Sequence, residues 1–201
     1  MTKIKLCGLT READIDAANL LRPDYIGFVF AKSSRRAISP EQAAERKTRL
    51  RSDILAVGVF VNEPTEHILR LLEAGTIDIA QLHGAESFDD VSALKRQTQK
   101  PVIQAFRVTR REDVLRAIQS PADYILLDNG AGGTGERFDW SLVEGIRRDF
   151  FLAGGLSAQN VQEAISCCQP FAVDTSSALE TDGVKDPAKM AAFVAAARAA
   201  K

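Results

Sequence analysis

Short apolar runs alternate with segments of helical periodicity along the whole chain. The clearest run is Tyr124-Ile125-Leu126-Leu127-Asp128, in which large apolar residues follow one another without a polar interruption. Such a run indicates a strand that is buried on both faces, as in a parallel sheet covered by helices. The pattern predicts eight strands, at residues 4–7, 25–30, 54–61, 77–82, 101–106, 123–128, 150–153 and 171–174.

The segments between these strands carry helix signals. Ser39, Pro40 and Gln42 supply a cap, a proline at the first helical position and the second half of a capping box. Apolar residues such as Ile68 and Leu72 then recur on one face. Further helix starts are predicted at Thr10, Asn62 with Pro64, Ser87, Ser157 and Asp186 with Pro187.

The number of units predicts the architecture. Eight strand-then-helix units in 201 residues have a spacing of roughly 25 residues, close to the shortest that a closed (β/α)8 barrel allows. We therefore predict an α/β protein with one TIM-barrel domain over residues 1–201. An open doubly wound parallel sheet is the alternative, and it is disfavoured because it would expose two edge strands.

The composition limits the class of partner. The chain has 26 Lys and Arg against 27 Asp and Glu, a net charge of -1, which argues against a nucleic-acid surface and favours a small-molecule substrate. The apolar runs are too short to span a membrane, and residues 1–5 lack the apolar stretch of a secretory signal. Three cysteines, an odd number, favour a reducing compartment, so we expect a cytoplasmic protein. A monomer and a weak homodimer both remain open.

In a barrel, functional side chains lie at the carboxyl ends of the strands. Asp128 ends the sixth strand, where it either acts on a bound ligand or hydrogen-bonds its own Gly-rich turn. Cys7 ends the first strand and is either a reactive thiol, its pKa lowered by a helix N-terminus, or a small buried hydrophobe. His83 follows the fourth strand, as an acid–base group or as a residue that orients its loop.

Two segments have the features of a phosphate site. Gly154 and Gly155 follow the seventh strand and precede Ser157, while Ser176 and Ser177 follow the eighth. Bare backbone N–H groups near a helix N-terminus bind anions, and TIM barrels commonly hold phosphate after strands seven and eight. An ordinary tight turn with an N-cap is the alternative.

Other polar residues point to a carboxylate clamp but not to a metal or cofactor. Arg35 and Arg36 follow the second strand, where a guanidinium either clamps a carboxylate or lies in a solvated loop. His67 and His83 lie far apart without Cys/His ligand spacing, so no metal site is expected. The Gly-rich run after Asp128 lacks the Lys-Ser/Thr ending of a P-loop, and no cofactor is expected.

Nine motifs resemble those of phosphoribosylanthranilate isomerases, in the same order and over nearly the whole chain. They are Lys5-Leu6-Cys7-Gly8-Leu9-Thr10, Gly27-Phe28-Val29-Phe30, Arg36 with Ile38-Ser39-Pro40, Gly58-Val59-Phe60-Val61-Asn62, Gln81-Leu82-His83-Gly84, Leu126-Leu127-Asp128, Gly132-Gly133-Thr134-Gly135, Leu152-Ala153-Gly154-Gly155-Leu156 and Asp174-Thr175-Ser176-Ser177.

The resemblance implies a (β/α)8 barrel and an aldose–ketose isomerase of tryptophan biosynthesis. The reaction would be the Amadori rearrangement of N-(5-phosphoribosyl)anthranilate to 1-(2-carboxyphenylamino)-1-deoxyribulose 5-phosphate. The resemblance makes Asp128 the general acid, Cys7 the general base and Arg36 the group that holds the anthranilate carboxylate. The remaining substrate-binding residues would be His83, Gly154, Gly155, Ser176 and Ser177, with Asp174 bordering the phosphate.

Two positions depart from the family pattern. Ala178 stands where the family usually has Gly. Ala would be strained there if the position needs a positive φ, and it would weaken phosphate binding if the position must closely approach a phosphate oxygen. The segment before Arg36 lacks a Pro that is often present, which leaves Arg35 as an alternative clamp.

Two other functions are open to such a barrel. A sugar-phosphate epimerase or a bifunctional isomerase of histidine biosynthesis is one, but those isomerases generally have a carboxylate where this chain has Cys7. A catalytically silent binding or regulatory barrel is the other, and it has no need for both Cys7 and Asp128.

Overall fold

Eight parallel strands form one closed barrel in the computed structural model, which describes residues 1–129 and 139–200. They are β1 (Lys3–Cys7), β2 (Tyr25–Val29), β3 (Leu55–Phe60), β4 (Ile79–Leu82), β5 (Val102–Arg107), β6 (Tyr124–Asp128), β7 (Phe150–Leu152) and β8 (Ala172–Thr175). All eight predicted strands are confirmed, with ends that differ by one or two residues. The pairing of β1 with β8, which sets Lys5 opposite Asp174, closes the sheet and rules out the open alternative.

Helices connect the strands on the outside of the barrel. They are α1 (Glu12–Leu21), α2 (Pro40–Arg49), α3 (Thr65–Glu73), α4 (Phe88–Gln97), α5 (Arg111–Ala117), α6 (Val161–Cys168) and α7 (Pro187–Ala199). A short hairpin of β9 (Glu180–Thr181) and β10 (Val184–Lys185) follows β8.

The expectation of a helix after every strand is wrong for the described part of the connection from β6 to β7. Residues 139–149 contain only the 3-10 turn Trp140–Val143. Asp139 caps this turn through its side chain, and Gly145 follows it with a φ of +76°. A residue in that left-handed conformation does not continue a right-handed helix, so the 3-10 turn ends before Gly145.

Four of the predicted helix starts are confirmed. Pro64 directly precedes α3, although no side chain caps that helix. Ser39 and Ser87 each accept a hydrogen bond from the backbone N–H three residues further on, at the starts of α2 and α4. Asp186 accepts hydrogen bonds from two backbone N–H groups at the start of α7.

Two predicted caps are wrong. Thr10 does not cap α1, since the residue directly before the helix is Arg11. The carboxylate of Asp14 accepts hydrogen bonds from the backbone N–H groups of Thr10 and Arg11. Ser157 does not begin a helix either. Its own N–H donates to Asn160 Oδ1, and a turn separates it from α6.

Side chains on each strand alternate between the barrel interior and the layer that faces the helices. An apolar cluster fills the interior, made of Tyr25, Val57, Ile79, Ile103, Leu126, Phe151, Ala153 and Ala172. Because Leu126 belongs to this interior cluster, Asp128 lies on the same face at the open end of β6. No described helix is long and apolar enough to cross a membrane.

Candidate active site

A cavity of about 310 Å³ opens at the carboxyl ends of the strands, which is the size of a small-molecule site. Barrel closure brings together there all nine residues that the sequence proposes, from six different strand ends. They are Cys7, Arg36, His83, Asp128, Gly154, Gly155, Asp174, Ser176 and Ser177. This is the face on which TIM barrels carry their active sites.

Cys7 lies at the end of β1, opposite Gly27 of β2. A Cβ at Gly27 would lie 2.6 Å from the Cys7 Sγ, so glycine provides the space for the thiol. Burial raises the pKa of that thiol, although the Lys5 ammonium opposes the shift. The lowering expected from a helix N-terminus is therefore wrong. The reason is that α1 begins only at Glu12 and its start is capped by Asp14.

Asp128 lies beside a histidine whose orientation is fixed from β4. His83 Nε2 is 3.7 Å from Asp128 Oδ2, and the amide Nε2 of Gln81 is 2.8 Å from His83 Nδ1. An amide nitrogen only donates, so Nδ1 accepts and the neutral ring carries its proton on Nε2, toward Asp128. Burial lowers the pKa of His83 and outweighs the charge of Asp128, which would raise it. The lowered pKa favours the neutral ring.

Gln81 was not among the residues expected at the site. It is 1% exposed and lines the cavity, and its Oε1 is buried without a hydrogen-bond partner in the described structure. The sequence held the signal, because residues two apart on a strand share a face and Gln81 precedes His83 by two.

Asp174 is engaged inside the barrel by a second unexpected residue. Lys5 Nζ lies 3.0 Å from each carboxylate oxygen of Asp174, and Lys5 has no solvent exposure. Burial alone would lower the pKa of Lys5, but Asp174 and the Cys7 thiol outweigh it and raise that pKa. Lys5 is thus a buried cation beside the proposed catalytic thiol.

The glycine and serine loops meet on one side of the cavity. Gly154 and Gly155 have φ values of +81° and +70°, and a Cβ at Gly154 would lie 2.7 Å from the Asn129 backbone nitrogen. Ser176 Oγ donates to the Cys7 carbonyl at 2.9 Å. The loops therefore come together as expected, but without the helix start predicted at Ser157.

A cluster of three cations surrounds Glu180 at the edge of the cavity. Arg36 donates from Nε and Nη2 to the two oxygens of Glu180, at 2.5 and 3.0 Å. Arg35 and the buried Lys185 also bind Glu180, at 2.8 and 2.7 Å. Lys185 in turn donates to the Ser176 carbonyl at 2.8 Å, which places positive charge behind the serine loop.

Glu180 and Lys185 were not predicted from the sequence as site residues, because they lie beyond the end of β8, in the β9–β10 hairpin. Ala178 lies in the 3-10 turn Ser177–Leu179 and is not among the residues with a positive φ, so the strain considered for Ala at this position does not arise.

Among the described residues, no group of three or more His, Cys, Asp or Glu side chains is arranged to hold a metal ion. The Gly132–Gly135 motif lies outside the described residues.

A (β/α)8 barrel with a thiol, a carboxylate, a glycine–serine loop pair and a guanidinium at one cavity belongs to a definite class. It is the class of acid–base enzymes that act on phosphorylated small molecules.

Comparison with known proteins identifies the member of that class. A family model described as N-(5'phosphoribosyl)anthranilate (PRA) isomerase matches residues 4–196. The N-(5'-phosphoribosyl)anthranilate isomerase of Endomicrobium trichonymphae is 44% identical over 190 residues, which cover 92% of this chain and 93% of the relative. The chain belongs to the N-(5'-phosphoribosyl)anthranilate isomerase family.

Two solved structures are similar over nearly the whole chain. A phosphoribosyl anthranilate isomerase in complex with reduced 1-(o-carboxyphenylamino)-1-deoxyribulose 5-phosphate is 36% identical, with a TM-score of 0.89 and coverage of 98% of this chain and 99% of that one. A structure of monomers of the dimeric enzyme from Thermotoga maritima is 36% identical, with a TM-score of 0.87 and coverage of 98% and 99%. The resemblance inferred from the motifs is confirmed: this is a tryptophan-biosynthesis isomerase that converts an aldose to a ketose.

Proposed function

We propose that Asp128 and Cys7 carry out the Amadori rearrangement of N-(5-phosphoribosyl)anthranilate as general acid and general base. The observation that supports this assignment is that both side chains line one cavity, from the ends of β6 and β1. The reaction needs an acid that holds a proton and a base that lacks one, so the proposed roles require Asp128 to be protonated and Cys7 to be ionised when the substrate reacts.

In the first step, Asp128 protonates the furanose ring oxygen. The bond between C1 and that oxygen breaks while the nitrogen lone pair forms a C=N bond, which gives the open-chain Schiff base. In the second step, the Cys7 thiolate removes the proton from C2, and the electron pair moves to give an enolamine. Tautomerisation of the enolamine gives the aminoketose. His83, whose neutral ring has its Nε2 3.7 Å from Asp128 Oδ2, binds the substrate beside the acid.

The two ends of the substrate have separate binding groups in this proposal. The phosphate binds to the backbone N–H groups of Gly154 and Gly155 and to Ser176 and Ser177, with Asp174 at its border. Arg36 binds the anthranilate carboxylate. Glu180 takes up the Nε–Nη2 edge of the guanidinium, and Nη1 offers further N–H donors on another edge.

Anthranilate fluorescence provides the test. Purified protein is mixed with freshly made phosphoribosylanthranilate, and we expect the signal to change far faster than the spontaneous rate. Cys7→Ala and Asp128→Asn should each reduce kcat by about 10²- to 10⁴-fold. The matched controls Cys167→Ala and Asp182→Asn, both at exposed side chains, should retain full turnover. Near-normal turnover in either active-site variant would remove that residue from its role.

The proposal also covers the surroundings of the reaction. We assign the enzyme to the cytoplasm, as a single domain over residues 1–201 that acts as a monomer or a weak homodimer on a small molecule. The balanced charge supports a small-molecule partner rather than nucleic acid. The relative from Thermotoga maritima is described as dimeric, which supports the dimer. Sedimentation velocity over a range of protein concentrations tests the oligomeric state.

A further inference from the structure

We propose that Lys5 is a positioning residue that acts through Cys7: its buried ammonium, held by Asp174, favours the thiolate form of Cys7. This inference rests on the proposed function, in which Cys7 is the general base. The proposed reaction leaves Lys5 without a part, although taking a charge out of water into the barrel interior has a large desolvation cost.

The geometry of β1 places the ammonium beneath the thiol. Residues 3, 5 and 7 share the interior face of the strand, because side chains alternate along it. Lys3 lies at the far end, with its Nζ 5.0 Å from the Phe171 ring centroid. Lys5 lies between, with no solvent exposure, and Cys7 lies at the mouth. The ammonium therefore has the barrel interior below it and the catalytic cavity above it.

The charges that face the thiol come from three elements. They are Lys5 on the same strand, Asp174 on β8 and Lys185 on β10, while the facing position of β2 is Gly27. His83 and Asp128 line the same cavity from the ends of β4 and β6. The Lys5 ammonium influences the thiol more strongly than the Asp174 carboxylate does. The positive member of the ion pair is also the one that shares the strand face with Cys7, two residues away on β1.

Burial explains why such a cation is useful. A buried thiol holds its proton more tightly than an exposed one, and the general base must lose that proton. A surface cation would be screened by salt, whereas a cation inside the barrel is screened much less. Asp174 holds the Lys5 ammonium through both of its carboxylate oxygens, at 3.0 Å each, on the strand face that also carries the thiol.

The test measures the ionisation of Cys7 without relying on turnover. In a Cys167→Ser, Cys168→Ser background, Cys7 is alkylated with iodoacetamide over a range of pH, and the midpoint of the rate profile reports the thiol pKa. Lys5→Gln removes the charge and keeps a donor for Asp174. The double variant Lys5→Met, Asp174→Asn removes both charges and leaves no unpaired buried carboxylate.

We expect the midpoint to move upward in both variants, by about 1 to 3 pH units in Lys5→Gln. The shift should be smaller in the double variant. There the loss of the Asp174 carboxylate, which raises the thiol pKa, partly offsets the loss of the Lys5 ammonium, which lowers it. The acidic limb of kcat/KM should move with it, so that activity recovers at high pH, which it would not do in Cys7→Ala. Lys3→Met, on the same strand face, should leave the midpoint unchanged.

Two results would overturn the inference. One is an unchanged midpoint in Lys5→Gln or in the double variant, with wild-type circular dichroism. The other is an equal shift in Lys3→Met, which would indicate a general effect of charge. The readout also separates this inference from the proposed function. If Cys7 were not the base, Cys7→Ala would stay active while the alkylation midpoint still moved.

Discussion

Gly27→Ala is the most direct test of how the fold positions the thiol. An added Cβ would lie 2.6 Å from Cys7 Sγ, 3.1 Å from its Cα and 3.2 Å from its Cβ. Carbon and sulfur atoms pack without strain only beyond about 3.5 Å, so the thiol must retreat by roughly 1 Å. The backbone of β1 must also give way, because no rotation of the Cys7 side chain can move its α-carbon away from the added methyl group.

The expected loss affects both stability and catalysis. Overpacking of this kind costs about 1–3 kcal/mol of unfolding free energy. For a chain of this length, that lowers the melting temperature by about 2–12 °C. A displacement of a reacting group by about 1 Å reduces turnover by about 10²-fold. We therefore expect Gly27→Ala to fold, melt earlier and lose most of its kcat.

Gly58→Ala is the matched control for this substitution. Its Cβ would lie 2.7 Å from Ile77 Cδ1 and 2.9 Å from Phe60 Cε2, in the layer that faces the helices. Gly58→Ala should lower the melting temperature by about as much as Gly27→Ala does and leave kcat unchanged. The assays are thermal unfolding by circular dichroism and turnover by anthranilate fluorescence. Full turnover in Gly27→Ala would refute the reasoning, as would an equal loss of turnover in Gly58→Ala.

Two further predictions concern the cation cluster around Glu180. Arg36→Ala should raise KM by about 10- to 100-fold with little effect on kcat, because it loses a charge-assisted hydrogen bond to the anthranilate carboxylate. Arg35→Ala, at a largely exposed side chain, should stay within about twofold, and the reverse pattern in steady-state kinetics would make Arg35 the clamp. Burial raises the pKa of Glu180, but hydrogen bonds from Arg36 and Lys185 outweigh it and lower the pKa. A carboxylate with a lowered folded-state pKa adds stability that is present above about pH 4.3 and lost as the pH falls through the folded value. Urea unfolding at pH 7 and pH 3 should therefore show a larger loss for wild type than for Glu180→Gln, and equal losses would contradict this.

Strand and helix periodicity accounts for the part of the fold that the sequence predicts. A run such as 124–128 is buried on both faces in any parallel sheet, so its position is readable without knowing its neighbours. Strand ends are readable for the same reason. Cys7 and Asp128 end such runs, and a barrel collects those ends at one face.

Helix starts were predicted less well because caps depend on local competition. Thr10 and Ser157 have the right residue type, but α1 begins after Arg11 and α6 begins after Asn160, so neither residue occupies the capping position. Residues that can precede a helix occur at several neighbouring positions, and composition alone does not decide at which of them the helix begins.

The sequence by itself determined the eight strands of the barrel and the side chains at their ends, because each follows from a local pattern. These side chains include Cys7, Asp128 and the glycine–serine loops. The tertiary structure alone decided the partners of the charged residues. Lys5 and Asp174 are 169 residues apart and Arg36 and Glu180 are 144 apart. Only the pairing of β1 with β8 and the fold of the β9–β10 hairpin bring these charges within hydrogen-bond distance. The ionisation of a buried group depends on what lies within a few ångströms of it, which is a property of the closed barrel and not of any one segment.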